Sequence, residues 1–429
     1  MKFIFKFFEL IFLFYRWLFN ILFIHFKKKK IIKNIEKNNE LQKNIIRYNP
    51  IKIENLIEKS NPIDSHIISG GTSDNRSKLG ASITVCSLSQ GIPTIILHEG
   101  NLTLQNYVNN ATNSFRDKVI ITGSTPIYDP FYNRSDKEIC NLIVNSSSSN
   151  TLINATGQQY ILGIIDFIRS KNISPYYEMF VSCPHNQLID KIDDAEKKGY
   201  LSNQRAMMIK SQLIQGQNER ANVQAFFSQL SSSQGAGILS NRGDKNSAVN
   251  IRTAVSHDGL IMIDIGSSTN EILLNLIVNE IKEVLTFGKK IMLILDGINI
   301  NSNDLLSKVI KSLSSKCLTT FLSENIYSTL GANDKLFHTF VGNASKCIVF
   351  SHMDSIACNK WSEIFGYYDA EKISQTIGGN QYFGLQDSFT TSFNREFILK
   401  PEEISRMSTN EIYILDKSTK GKLIYTTLL

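Results

Sequence analysis

Residues 67–77, Ile-Ile-Ser-Gly-Gly-Thr-Ser-Asp-Asn-Arg-Ser, are the stretch whose residue types and spacing could do chemistry. A short apolar strand, Ile67-Ile68, runs into a Gly/Ser/Thr/Asp/Asn turn, and Leu79 to Leu88 then reads as a helix. Backbone N–H groups and the positive end of a helix converge in such a layout, which suits a bound phosphate. Against the pattern G-x-x-x-x-G-K-[ST], Gly70 takes the first glycine and Ser77 the final hydroxyl. Asn75 stands in place of the second glycine and Arg76 in place of the lysine. The candidate phosphate-binding residues are therefore Gly70, Gly71, Thr72, Ser73, Asp74, Asn75, Arg76 and Ser77, with Ser77 also a candidate Mg²⁺ ligand. Asn tolerates positive φ, so Asn75 is expected to keep the loop shape. The planar fork of Arg76 does not reproduce a compact ammonium between β- and γ-phosphates.

Lys290-Ile-Met-Leu-Ile-Leu-Asp296 is an apolar strand ending in a carboxylate, the pattern that holds Mg²⁺ in nucleotide-hydrolysing folds. Asp296 is the second candidate metal site and the first candidate catalytic residue. The next position, where a Glu would polarise the attacking water, is Gly297. One strand later Phe321-Leu-Ser-Glu-Asn ends in Glu324, the second catalytic candidate, whose charge would lie near an already anionic phosphate. No other constellation competes. His66, His98, His185, His257, His338 and His352 have no Cys or Asp at ligand spacing, and the six cysteines are scattered thiols of a reducing compartment.

Positioning these groups requires a sheet whose strand ends meet. Apolar runs at Thr94–Leu97, Lys118–Thr122, Leu260–Ile265, Lys290–Leu295, Leu318–Leu322 and Cys347–Phe350 alternate with helical segments at Tyr160–Ile168, Asn270–Leu285 and Leu305–Leu313. That alternation predicts an α/β fold with a largely parallel sheet flanked by helices. Residues 185–231 show only helical spacing and read as a small all-helical insertion, while Ile412–Leu415 and Leu423–Thr426 read as a closing hairpin.

Phe7 to Phe26 is long and apolar enough for a transmembrane helix, with Glu9, Arg16 and Asn20 on one face that suits helix association in the membrane or, equally, an amphipathic helix lying at the interface. Residues 1–52 hold 12 Lys/Arg and three acids, a net +9 within a chain of +7, so residues 53–429 sum to −2. The basic character belongs to the N-terminal piece, and composition gives no strongly basic nucleic-acid face to the body. The Lys27–Lys30 block sets the orientation: a single pass through the cytoplasmic (inner) membrane with the body in the cytoplasm.

In this order the chain resembles the conjugative coupling proteins of type IV secretion, the TraG/TraD group of FtsK/HerA-like ATPases. The resemblance is carried by the N-terminal anchor, Gly70-Gly-Thr-Ser-Asp-Asn-Arg-Ser77, Gly91-Ile-Pro-Thr-Ile-Ile with its acidic-Gly turn, the helical insertion, Leu293-Ile-Leu-Asp296 and Phe321-Leu-Ser-Glu. Tyr327–Gly331, Asn343–Phe350, Asp354, Ser362–Gly366 and Ile398-Leu-Lys-Pro-Glu-Glu extend it over about 370 residues. It implies a RecA-like domain in two parts (61–184 and 232–429) around the insertion at 185–231, with an anchor at 1–30 and a basic linker or stalk at 31–60. It further implies ATP and Mg²⁺ as cofactors, a hexameric homo- or hetero-oligomer, secretion-channel or relaxosome partners, and DNA contacted through the assembled ring. The departures fall on the chemistry: Asn75, Arg76, Gly297 and Glu324. Three readings stay open: an anchored receptor or scaffold with impaired or lost ATP hydrolysis, an active DNA or protein translocation motor with a non-standard site, and an anchored interaction protein with no nucleotide site.

Overall fold

The computed structural model describes residues 2–58, 64–121, 127–147, 152–232, 239, 248–266, 271–299, 317–380, 384–417 and 421–429. The chain divides into two compact units, residues 1–49 with 351–426 and residues 50–350 with 427–429. The first opens with helix α1 (Lys2–Lys43) and the short strand β1 (Ile46–Arg47).

The second unit begins with α2 (Ile53–Glu58), β2 (His66–Ser69), α3 (Ser73–Ser89), β3 (Thr94–His98), α4 (Leu102–Ala111) and β4 (Val119–Ile121). Strand β5 (Ile127–Tyr128) leads into six helices: α5 (Asp136–Ser146), α6 (Ala155–Ser170), α7 (Tyr177–Val181), α8 (Leu188–Lys197), α9 (Asn203–Gln215) and α10 (Arg220–Ser231). The chain returns through β6 (Ala248–Val249), which pairs with β5. It continues as α11 (Ile251–Ser256), β7 (Leu260–Asp264), α12 (Glu271–Thr286), β8 (Ile291–Asp296), β9 (Cys317–Ser323), α13 (Ile326–Thr329), α14 (Asp334–Asn343) and β10 (Lys346–Val349).

The seven main strands of this unit lie in the order β10-β2-β9-β8-β3-β7-β4, every neighbouring pair parallel. Parallel strands are covered by helices on both faces, so their sequences run apolar without alternation. Strand β8 shows this: all six of its residues, including Asp296, are buried. The parallel sheet is thus as the apolar runs predict. The expected helix at 305–313 lies outside the described residues.

Between β5 and α12 a charged cluster lies inside the core. Arg134 donates to both Glu280 (3.0 Å) and Glu283 and to the Pro130 carbonyl (2.6 Å), and the Tyr128 hydroxyl donates to Glu280 (2.6 Å). The side chains of Arg134 and Glu280 have no exposed surface. Burial pushes the Glu280 carboxyl above its usual range, opposed by Arg134 and the Tyr128 hydroxyl.

The first unit resumes with α15 (Ser355–Phe365), the 14-residue strands β11 (Tyr367–Asn380) and β12 (Gly384–Phe397), α16 (Pro401–Ser405), β13 (Glu411–Asp416) and β14 (Leu423–Thr427). Its sheet runs β1-β14-β13, with β1 parallel to β14. Trp361 is fully buried and stacks on Phe365 at 5.9 Å. The antiparallel β11–β12 ribbon is missed by periodicity, because its Ser, Thr, Asn, Gln and aromatic residues have no regular apolar period. Helix α1 is long and apolar enough to cross a membrane, and none of its apolar window is buried in protein.

Replacing Glu280 by Ala leaves a buried guanidinium short of a partner, which should cost this unit about 3–5 kcal/mol of stability. Glu280→Gln keeps an acceptor for Tyr128 and Arg134 and should lose clearly less. Denaturant unfolding followed by circular dichroism checks this; equal losses would mean that the carboxylate's charge carries the whole effect and the retained acceptor contributes nothing.

Candidate functional site

Parallel pairing brings the carboxyl ends of the strands to one edge. Along it His98 sits in register with Asp264 on one side and Asp296 on the other, Asp296 faces Leu322, and Ser69 faces Ser323. In open parallel sheets this edge is where ligands bind. The candidate loop leaves β2 there and Glu324 follows β9, so the predicted residues do converge on one end of the sheet.

The loop differs from the expected form. Gly70 and Gly71 take positive φ (85° and 65°), and a Cβ on Gly71 would lie 2.7 Å from Phe350 Cγ, so only glycine fits. Thr72 then caps the helix: its Oγ1 accepts from the Asn75 N–H at 3.2 Å. Helix α3 consequently starts at Ser73, six residues before the predicted Leu79. Asn75 lies inside its first turn and has no positive φ, contrary to the expectation that it would shape the loop. Only Gly70, Gly71 and Thr72 connect strand and helix. Asp74 supplies a carboxylate to the positive end of α3. It accepts from Tyr107 on α4 (2.6 Å) and pairs with Lys78 (2.7 Å), and both contacts hold its pKa below the usual value.

Arg76, in the lysine position, turns back on the loop. Its Nη1 donates to the carbonyls of Gly70 (2.9 Å) and Gly71 (2.7 Å). Burial lowers its pKa, while the charges of Asp296 and Glu324 raise it.

Asp296 and Ser77, the two candidate metal ligands, are bridged by a residue that motif reading misses. Asn101 caps α4, accepting from the Leu104 N–H at 3.0 Å. Its Nδ2 donates to Asp296 Oδ2 at 2.6 Å and lies 3.4 Å from Ser77 Oγ. The available signal was position: Asn101 follows His98-Glu99-Gly100 at the end of β3, beside β8. Burial raises the Asp296 pKa, with Asn101 and Arg76 pulling it down. Glu99 is half-buried, and its pKa is raised by burial and then by Asp296 and Asp264. His98 is pushed below its usual value by burial, with Asp264 opposing.

Gly297 has φ 75°, a left-handed backbone that a Glu would adopt only with strain, so the backbone here is fitted to glycine. Glu324 is exposed and its neighbour Ser323 bonds Thr329 at 2.6 Å. An ATP–Mg²⁺ complex would need acceptors at Ser77 and Asp296 and N–H donors from the loop. Those oxygens are present but already engaged by Asn101, and the loop is short and its carbonyls are held by Arg76. Among the described residues no group of three or more His, Cys, Asp or Glu could hold a metal ion.

No protein-family model matches the chain, and no curated protein does. Solved structures of similar architecture include the bacterial conjugative coupling protein TrwBdeltaN70 in an unbound form, 14% identical, covering 85% of this chain and 84% of that one, with a TM-score of 0.49. The plasmid coupling protein TrwB in complex with ADP and Mg²⁺ is 14% identical over 85% of each chain, with a TM-score of 0.47. VirB4 of Thermoanaerobacter pseudethanolicus is 8% identical over 85% and 89%, with a TM-score of 0.43. At these scores the likeness carries no argument about the site.

The raised Asp296 pKa fixes the sign of a pH effect. A carboxylate whose folded pKa lies above its unfolded one adds stability at low pH, lost as pH rises through the folded value. At neutral pH the buried charge is therefore a net penalty. Asp296→Asn should raise the melting temperature at pH 7, and the gain should shrink as pH falls through the Asp296 pKa toward 4. Thermal melts across that range test it; a gain independent of pH would show that titration of Asp296 is not its source.

Proposed function

We propose that this chain is a membrane-anchored, coupling-protein-like component of a conjugation or type IV secretion apparatus that has lost ATP hydrolysis and acts as substrate receptor or scaffold. The observation that carries the loss of hydrolysis is the mutual engagement of the site's own groups. The Arg76 guanidinium binds the two loop carbonyls, and the Asn101 amide occupies Asp296 and reaches Ser77. Phosphoryl transfer depends on positioning and electrostatic stabilisation, and an arginine in the lysine position with no Glu after Asp296 weakens both. The placement in a secretion apparatus rests on the sequence resemblance, with its motif order from the loop to the Asp296 strand, and on the apolar α1.

On this reading residues 1–30 anchor the chain, 31–60 form a stalk, and 61–184 and 232–429 form the nucleotide-binding-like body around the helical insertion at 185–231. The body faces the cytoplasm. Partners are secretion-channel or relaxosome proteins and further subunits of a ring, homo- or hetero-oligomeric, through which DNA would be contacted.

A second reading has one observation in its favour. Glu99 is half-buried beside Asp296 with a raised pKa, the character of a carboxylate able to position water in an active motor.

Equilibrium binding of a fluorescent ATP analogue to the full-length protein, with and without Mg²⁺, and a steady-state turnover assay separate the two. We expect no turnover above that of Asp296→Ala, and no tightening of binding by Mg²⁺. Asn101→Ala, which uncovers Asp296 and Ser77, should introduce a Mg²⁺ dependence. Turnover abolished by Asp296→Ala and by Glu99→Gln would replace the scaffold reading with the motor.

A further inference from the structure

We infer that the β11–β12 ribbon runs back along α1 toward the bilayer and that its free end meets the lipid headgroup region. This rests on the reading of α1 as a membrane anchor.

Two contacts fix the direction of β11 against α1. Lys43 Nζ lies 5.7 Å from the Tyr368 ring centre, and Asn39 is clamped to the backbone of Glu371. In that clamp Asn39 Nδ2 donates to the Glu371 carbonyl at 3.1 Å, and the Glu371 N–H donates to Asn39 Oδ1 at 2.9 Å. Asn38 Nδ2 adds a bond to Glu371 Oε2 at 3.4 Å. Moving up β11 from 368 to 371 therefore means moving down α1 from 43 to 39, toward its apolar end. Burial on α1 extends the track. Ile31, Ile35, Asn39 and Lys43 are half-buried while every residue between them is exposed. That four-residue stripe on one helical face reaches the edge of the Lys27–Lys30 block.

Length shows that the ribbon can reach the headgroup level. From Glu371 to Asn380, the last described pair with Gly384, nine residues at strand spacing span about 30 Å. From Asn39 back to Lys30 the helix rises only about 14 Å, and back to Phe26 about 20 Å. The ribbon is longer than the helical stretch between its clamp and the membrane. Composition agrees with that destination. Residues 373–394 contain a single charged residue, Asp387, whereas the ribbon's base carries Asp369, Glu371, Lys372, Arg395 and Glu396. A two-stranded ribbon has two unpaired edges, which cannot be hydrogen-bonded in hydrocarbon, so the end belongs among headgroups and water rather than deeper.

The test uses the full-length chain with Cys86 and Cys183 replaced by Ser, reconstituted in phosphatidylcholine vesicles containing an anionic lipid. An NBD fluorophore is attached in turn at Asn380→Cys, at Lys27→Cys (headgroup level on α1) and at Glu40→Cys (farther along the same helix). Nitroxide lipids with a shallow spin label serve as quenchers. The expected result is loss of fluorescence at 380 comparable to that at 27 and greater than that at 40. Quenching at 27 with 380 as dark to quencher as 40 would overturn the ribbon inference and leave the anchor standing. Failure of the protein to float with vesicles, with no quenching at 27, would overturn the anchor and this inference with it.

Discussion

Polar groups buried at the carboxyl edge of a parallel sheet must find partners, because burial removes the water that would otherwise solvate them. That constraint governs the 50–350 unit. In-register pairing aligns His98, Asp264 and Asp296 at adjacent strand ends, and Asp296 is buried there. An unpaired buried carboxylate is costly, so something must hydrogen-bond it. The partner is Asn101, which the start of α4 places within 2.6 Å. Asp264 is handled similarly by the N–H groups of Gly100 and Gly266, each at 2.9 Å.

The altered residues are consistent with one another under this constraint. Arg76 has longer reach than lysine and several donors in a fork, so it can fold back onto Gly70 and Gly71. Thr72 starts α3 early, which shortens the connection that Arg76 closes. Gly297 lets the chain turn away after Asp296 at positive φ, a shape that a water-polarising Glu would strain. The pattern is that of groups bonded to one another: Arg76 to the loop carbonyls, and Asn101 to Asp296 and Ser77. Such a pocket keeps the geometry of the fold while its groups satisfy each other.

The other unit poses a different mechanical question. Helix α1 is continuous over 42 residues, about 63 Å at helical rise. The Asn39–Glu371 clamp fixes the base of β11 to this helix. An isolated two-stranded ribbon is marginal in water, so its contacts with α1 bear on whether it stays formed.

The sequence by itself determined the elements whose signal is local and strong. The continuous apolar run of β8 predicted a strand buried on both faces, Gly70-Gly71 predicted a tight turn after β2, and the phenylalanine-rich N-terminus predicted a helix long and apolar enough to cross a membrane. The same reading named Arg76 and Gly297 as the places where the chemistry departs from the motif. What only tertiary structure decided was which group meets which. Asn101 is 195 positions from Asp296, and only parallel pairing of β3 with β8 makes them neighbours. The start of α3 depended on a cap bond from Thr72, which competes with the loop form that the motif implies. The β11–β12 ribbon and its clamp had no periodic signal at all, because its register is set by cross-strand pairing and by a helix 332 positions away. Local patterning reports burial, whereas partner choice is a long-range property of the folded chain.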